Sequence, residues 1–176
     1  MYDKTETFET NGVPADYYKI PFGKAALRRS GSDVTIVTIG PLLYTVMNAV
    51  RYLKDYKIDV EVIDVRTLVP FDYDSIIESV SKTGRLLIVS EAVERGSYAK
   101  TIVANLVQLA FKQFKVAPIA LGAPNWIAPG ADMEDKYSPQ TDDVVDAILF
   151  NFFPEKRANR QGARNWDLSK LSKRGI

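Results

Sequence analysis

Two hydrophobic rhythms alternate along this chain. Val34-Thr35-Ile36-Val37-Thr38-Ile39 is β-branched throughout and closes at Gly40-Pro41, which predicts a strand. Leu42, Leu43, Val46, Met47, Val50 and Leu53 then recur at three- and four-residue spacing, the mark of one helical face. The alternation repeats. Val60 to Val65 predicts a second strand, and Tyr73 to Val80 a short helix with Asp72 placed to cap it. Leu86 to Val89 predicts a third strand and Ser97 to Phe114 the longest helix. Val116 to Leu121 predicts a fourth strand of this series, and Thr141 to Phe153 a last helix capped by Thr141 or Asp142. Lys24 to Arg29 reads as one more short strand ahead of the series.

Strands alternating with helices at this spacing predict βαβ units and a parallel sheet. The strands are continuous apolar runs, as expected when helices cover both faces. Residues 1–22 are different: Tyr2, Phe8, Tyr17, Tyr18 and Phe22 are scattered among polar residues, and Gly12, Pro14 and Pro21 break any pattern. They predict a linker or arm, followed by one domain over residues 23–154 and a basic tail over 155–176. In the helix from Ser97, Ile102, Val103, Leu106, Val107, Leu109, Phe111 and Phe114 cover more than one stripe. Such a helix is either sunk in its own core or turned partly towards another chain or domain.

The 176 residues contain no cysteine and no histidine. Disulfides, thiolate metal sites and Ser-His or Cys-His catalysis are therefore excluded. No apolar run approaches the ~20 residues of a membrane span, and no secretory pattern opens the sequence. The expectation is a cytoplasmic protein. Residues 155–176 hold seven Lys/Arg against two Asp/Glu, a local +5, which leaves −4 on the remainder of a chain of net charge +1. A basic tail is commonly a solvated end; contact with nucleic acid is the other reading.

In wound sheets, ligands sit beyond the carboxyl ends of the strands where the winding reverses. The candidate loops are Gly40-Pro41-Leu42, Arg66-Thr67, Ser90 to Ser97 and Gly122 to Asn125. Helix N-termini at Gly40 or Ser97 offer amides to an anion, so a stand-alone small-anion-binding module is one function to consider. Glu91 and Glu94 oppose it, and neither GxGxxG nor GxxxxGK[ST] is present. An acid–Arg95 pair with Ser97 capping the helix is the structural alternative. Glu91 and Glu94 lack the nucleophile, base and orienter that catalysis needs. Asp132, Glu134 and Asp135 fit no EF-hand spacing.

Asp64-Val65-Arg66-Thr67-Leu68-Val69-Pro70-Phe71-Asp72 resembles the Asp-Leu-Arg-Thr-Leu-x-Pro-x-Asp signature of the transketolase C-terminal domain, and more narrowly the β subunit of the E1 component of 2-oxo acid dehydrogenases. Tyr18 to Ala25, Asp33 to Gly40 and Lys82 to Leu86 are similar to that family in the right order, so the likeness runs from about Tyr17 to Phe153. Asn125-Trp126-Ile127 and the tail look more like E1 enzymes in which α and β parts are fused. The resemblance implies a three-layer α/β/α sandwich whose five-stranded, mostly parallel sheet has the order 1-3-2-4-5, with strand 1 antiparallel. The reversal would then fall beside Gly40, Pro41, Ser90, Glu91, Gly96 and Ser97, with Arg66 nearby, as a cleft or scaffold. The family writes His-Glu-Ala and a glycine pair where this chain has Ser90-Glu91-Ala92 and Gly96-Ser97-Tyr98, so that histidine's role is lost here; Glu91 carries over as a scaffold contact. In E1 enzymes thiamine diphosphate and magnesium lie between two other domains. The resemblance therefore implies a piece of a larger E1, of pyruvate or branched-chain type, holding no cofactor, metal or catalytic residue of its own. Its partners would be other E1 domains or subunits, the E2 acyltransferase core and a second copy of itself.

Overall fold

A computed structural model describes residues 16–130 and 137–157. Five strands and four helices follow in the order β1 (Ala26–Arg29), β2 (Val34–Thr38), α1 (Leu42–Asp55), β3 (Val60–Asp64), α2 (Tyr73–Thr83), β4 (Leu86–Val93), α3 (Tyr98–Ala110), β5 (Ile119–Ala123) and α4 (Thr141–Asn151). Short 3-10 turns follow α3 at Phe111–Gln113 and α4 at Pro154–Lys156. The sheet order is β1-β3-β2-β4-β5. Only β1 runs antiparallel, Ala26 facing Asp64 and Leu27 facing Ile63; the other pairings are parallel.

Alternate strand residues feed two cores. Val34, Ile36, Val60, Val62, Leu87 and Val89 pack with α1 and α4, while Val37, Ile63, Leu86 and Ile88 pack with α2 and α3. That makes three layers, with both sheet faces dry, as the uninterrupted apolar strands require.

Several boundaries differ from the sequence expectation, each for a local reason. Helix α2 continues past Val80 to Thr83, where Gly84 at φ 74° caps it. Helix α3 ends early at Ala110, since the backbone there turns to φ −138° and starts the 3-10 turn; α1, with 14 residues, is the longest helix among the described residues. Strand β5 is shifted towards Ala123, and β4 runs on through Ser90, Glu91 and Ala92 to Val93. Asp72 caps α2 as expected, accepting from the Ser75 amide at 3.4 Å. The cap of α4 is Gln140, one residue before the expected Thr141; its backbone N–H donates to Asp143 at 2.7 Å.

One polar seam interrupts the second core. Thr35 and Glu61 are cross-strand partners, and both are buried. Thr35 Oγ1 lies 2.6 Å from Ser79 Oγ and 2.8 Å from Thr83 Oγ1. Ser79 in turn donates to Glu61, whose other oxygen accepts from Lys82 and from the Gly31 amide. Each buried polar atom in the seam thus has a partner, which removes the penalty that burial would impose. Burial pushes the Glu61 carboxyl up, but hydrogen bonds from Lys82, Ser79 and Gly31 outweigh it and hold the group below the usual carboxylate range.

Candidate functional site

The carboxyl ends of β2, β3 and β4 bring the predicted residues to one end of the sheet. Thr38 faces Val89, and the Ile39 amide donates to the Val89 carbonyl at 3.1 Å, so Gly40-Pro41 and Ser90-Glu91 leave adjacent strands side by side. The chain winds from β2 outward to β3 and then crosses to β4, which places the reversal between these two segments. Gly40 (φ +72°) and Gly96 (φ +68°) take left-handed turns with open space where a side chain would stand. Pro41 is the N-cap of α1, with no side-chain hydrogen bond to the helix.

Ser90, Glu91 and Ala92 are strand residues rather than a loop. The Glu94 amide donates to Ala123 at 2.9 Å and Val93 pairs with Ala123, so the end of β4 is clamped to β5. Ser90 is buried, and its hydroxyl has no partner among the described residues. Glu91 is exposed. Ser97 caps α3 as expected: its hydroxyl accepts from the Lys100 amide at 3.3 Å and donates to the Glu94 carbonyl at 3.1 Å. The Glu94 carboxylate pairs with Lys100 at 2.9 Å.

Arg66 belongs to the other side of the sheet end. Its backbone is left-handed at φ 57°, and its guanidinium donates to the Ala25 carbonyl at 3.1 Å, away from the reversal. Asp72 accepts the Ala25 amide at 2.9 Å, and Thr67 accepts the Gly23 amide at 2.9 Å. The Asp64-to-Asp72 motif is therefore the device that fastens the start of β1 to the loop after β3. From the opposite side, Tyr98 donates to the Leu68 carbonyl at 2.9 Å.

Residues 23–144 match the family described as "Transketolase, C-terminal domain". The chain belongs to this family. It is 38% identical over 148 residues to the acetoin:2,6-dichlorophenolindophenol oxidoreductase β subunit of Bacillus subtilis, covering 84% of this chain and 43% of that protein. It is 34% identical over 134 residues to the pyruvate dehydrogenase E1 component β subunit of the same bacterium, 76% of this chain and 41% of the relative. The chain thus spans about two fifths of the length of the curated relatives it matches. The fold is also that of a solved split-gene transketolase, an inactive β4 tetramer, with a TM-score of 0.68 at 24% identity over 83% of this chain and 48% of that one.

The helix from Ser97, expected to be apolar on several sides, shows one buried stripe of Ala99, Ile102, Leu106 and Ala110. Leu109 and Phe111 are exposed at its far end. The polar seam at Glu61, with Lys82 and Ser79, was missed by sequence reasoning. Its signal was a single acid inside the run Val60-Glu61-Val62-Ile63. Residues 131–136, with their three acids, lie outside the described residues, as does most of the basic tail. Among the described residues no group of three acids converges as a metal site, and no helix is long and apolar enough to cross a membrane.

Thiamine diphosphate is a doubly charged anion that needs cations, amides and a magnesium site. At the reversal Glu91 is exposed, Lys100 is already paired with Glu94, and Arg66 is committed to Ala25. These residues do not fit the group.

Proposed function

We propose that this transketolase C-terminal domain serves as the assembly domain of a thiamine-diphosphate-dependent E1 component of a 2-oxo acid dehydrogenase. The parent enzyme decarboxylates a 2-oxo acid in the cytoplasm and passes the acyl group to a lipoyl carrier. This domain supplies contacts to the other E1 domains, to a second copy and to the E2 core, and does no chemistry itself. Gly40, Pro41, Ser90, Glu91, Gly96 and Ser97 act as scaffold at the reversal, Arg66 fastens β1, and Glu91 faces outward as a contact for a neighbouring domain.

The observation that carries this reading is the 34% identity over 76% of the chain to a pyruvate dehydrogenase E1 β subunit, beside 38% over 84% to an acetoin:2,6-dichlorophenolindophenol oxidoreductase β subunit. The exposed Glu91 at the reversal adds to it, since it disfavours the anionic cofactor in this domain. Calorimetric titration of the isolated chain with thiamine diphosphate and magnesium tests it. No heat of binding is expected up to millimolar ligand; micromolar binding would defeat the proposal.

A further inference from the structure

We propose that the arm at Phe22 and the loop after β3 together form the seat for the domain that precedes this one in E1 β subunits. The inference rests on the E1 reading above and adds the face on which that reading operates.

The arm is pinned where it enters β1. Thr67 and Asp72 accept the Gly23 and Ala25 amides, and a Cβ on Gly23 would stand 2.8 Å from Pro70 Cγ. Ahead of Gly23 the apolar side chains are bare: Tyr18, Ile20 and Phe22 are 53%, 52% and 82% exposed, and Val69, next to the Pro70 that meets Gly23, is 81% exposed. The loop is braced from behind. Tyr98 bonds the Leu68 carbonyl, and the Phe71 ring packs 4.6 Å from Tyr73 and 6.5 Å from Tyr98. The loop side of this surface, already held in shape by Tyr98, loses little entropy when it is covered, which is what a standing interface needs.

The relatives indicate what covers it. This chain matches only 41–43% of them, and the matched family is by description a C-terminal domain. The larger part of such a relative therefore lies on the N-terminal side and is joined through this arm. Its surface arrives at the end of the sheet where the bare side chains stand. Leu109 and Phe111, exposed at the end of α3, have no such connection.

The chain contains no cysteine, so Val69→Cys and Leu109→Cys each provide a single thiol. The test fuses the part of the Bacillus subtilis pyruvate dehydrogenase E1 β subunit that precedes its matched region to the full 176-residue chain. Both thiols should react freely with Ellman's reagent in the unfused chain. In the fusion, Val69→Cys should slow by at least about tenfold while Leu109→Cys does not. Equal rates at Val69→Cys with and without the fused part would overturn the proposal. Dye binding by the unfused chain gives a second test that does not depend on the fusion folding. Anilinonaphthalene sulfonate should bind, and Val69→Asp, unlike Leu109→Asp, should abolish most of the signal; no binding, or loss only in Leu109→Asp, counts against the seat. Micromolar thiamine diphosphate binding by the isolated chain would defeat the E1 reading while leaving both of these results intact.

Discussion

Replacing Lys82 with methionine isolates the polar seam. The substitution keeps the aliphatic stem and removes the one cation that, among the described residues, meets Glu61, whose side chain is 4% exposed. The carboxylate would then rely on Ser79 and the Gly31 amide alone. Removing one partner of a fully buried ion pair costs about 3–5 kcal/mol. The lysine side chain is 46% exposed, so water screens part of the attraction, and the expected loss is nearer ~2 kcal/mol. For a chain of this size that lowers the thermal midpoint by roughly 6 °C. Urea unfolding followed by circular dichroism should show a lower midpoint at unchanged slope. The decisive comparison is the cycle with Glu61→Gln: once the buried charge is gone, Lys82→Met should cost under ~0.5 kcal/mol. Equal losses in both backgrounds would show that Lys82 acts through its packing and that the charge argument is wrong.

Three further outcomes are expected. A Cβ on Gly31 would sit 2.2 Å from the Val60 carbonyl carbon, so Gly31→Ala should destabilise by about 3 kcal/mol, the upper end for forced overpacking, measured by the same unfolding curves. Asp72→Ala removes a helix cap and leaves the Ala25 amide unmet; a loss of about 2 kcal/mol is expected, with faster hydrogen exchange at Ala25 and Ala26. Asp59, Glu61 and Asp72 are all held below the usual carboxylate range, Asp59 chiefly by its hydrogen bond from Arg29 and Asp72 by the Ala25 and Ser75 bonds that outweigh its burial. Depressed folded-state values give stability that is complete above the unfolded value of about 4 and is lost as pH falls through the folded values; the urea midpoint should therefore drop below about pH 4, and less steeply in Glu61→Gln.

The layers of the fold were legible because both faces of the sheet are dry, so each strand had to be apolar along its length. The ends of elements were less legible, because tertiary contacts set them. Ser90 and Glu91 look like a loop after an apolar run, yet β5 offers Ala123 to pair with Val93 and draws them into β4. Ala110 is a good helix former, but the chain turns there while Lys115 bonds the Gly84 carbonyl at 2.8 Å. Arg66 was read from its place at the carboxyl end of a strand; its side chain reaches back to Ala25, a partner 41 residues away in sequence that the spacing could not show. The Glu61 seam showed in the sequence only as one acid in an apolar run: its members come from β2, β3 and α2, and spacing along the chain does not reveal that they meet.

The antiparallel β1 has a consequence for how this domain can be joined to others. It starts at the carboxyl end of β3 and runs to the opposite end of the sheet. The last described residues are anchored at that opposite end, where Lys156 bonds the Tyr56 and Lys57 carbonyls at 3.1 and 3.0 Å and Arg85 stacks 4.6 Å from the Phe153 ring. The start of β1 and Lys156 therefore lie at opposite ends of the sheet, separated by the five residues of β3, roughly 16 Å. Domains whose ends lie close together can be spliced into another protein's loop; Ala26 and Lys156, held at opposite ends of the sheet, do not offer that close pair.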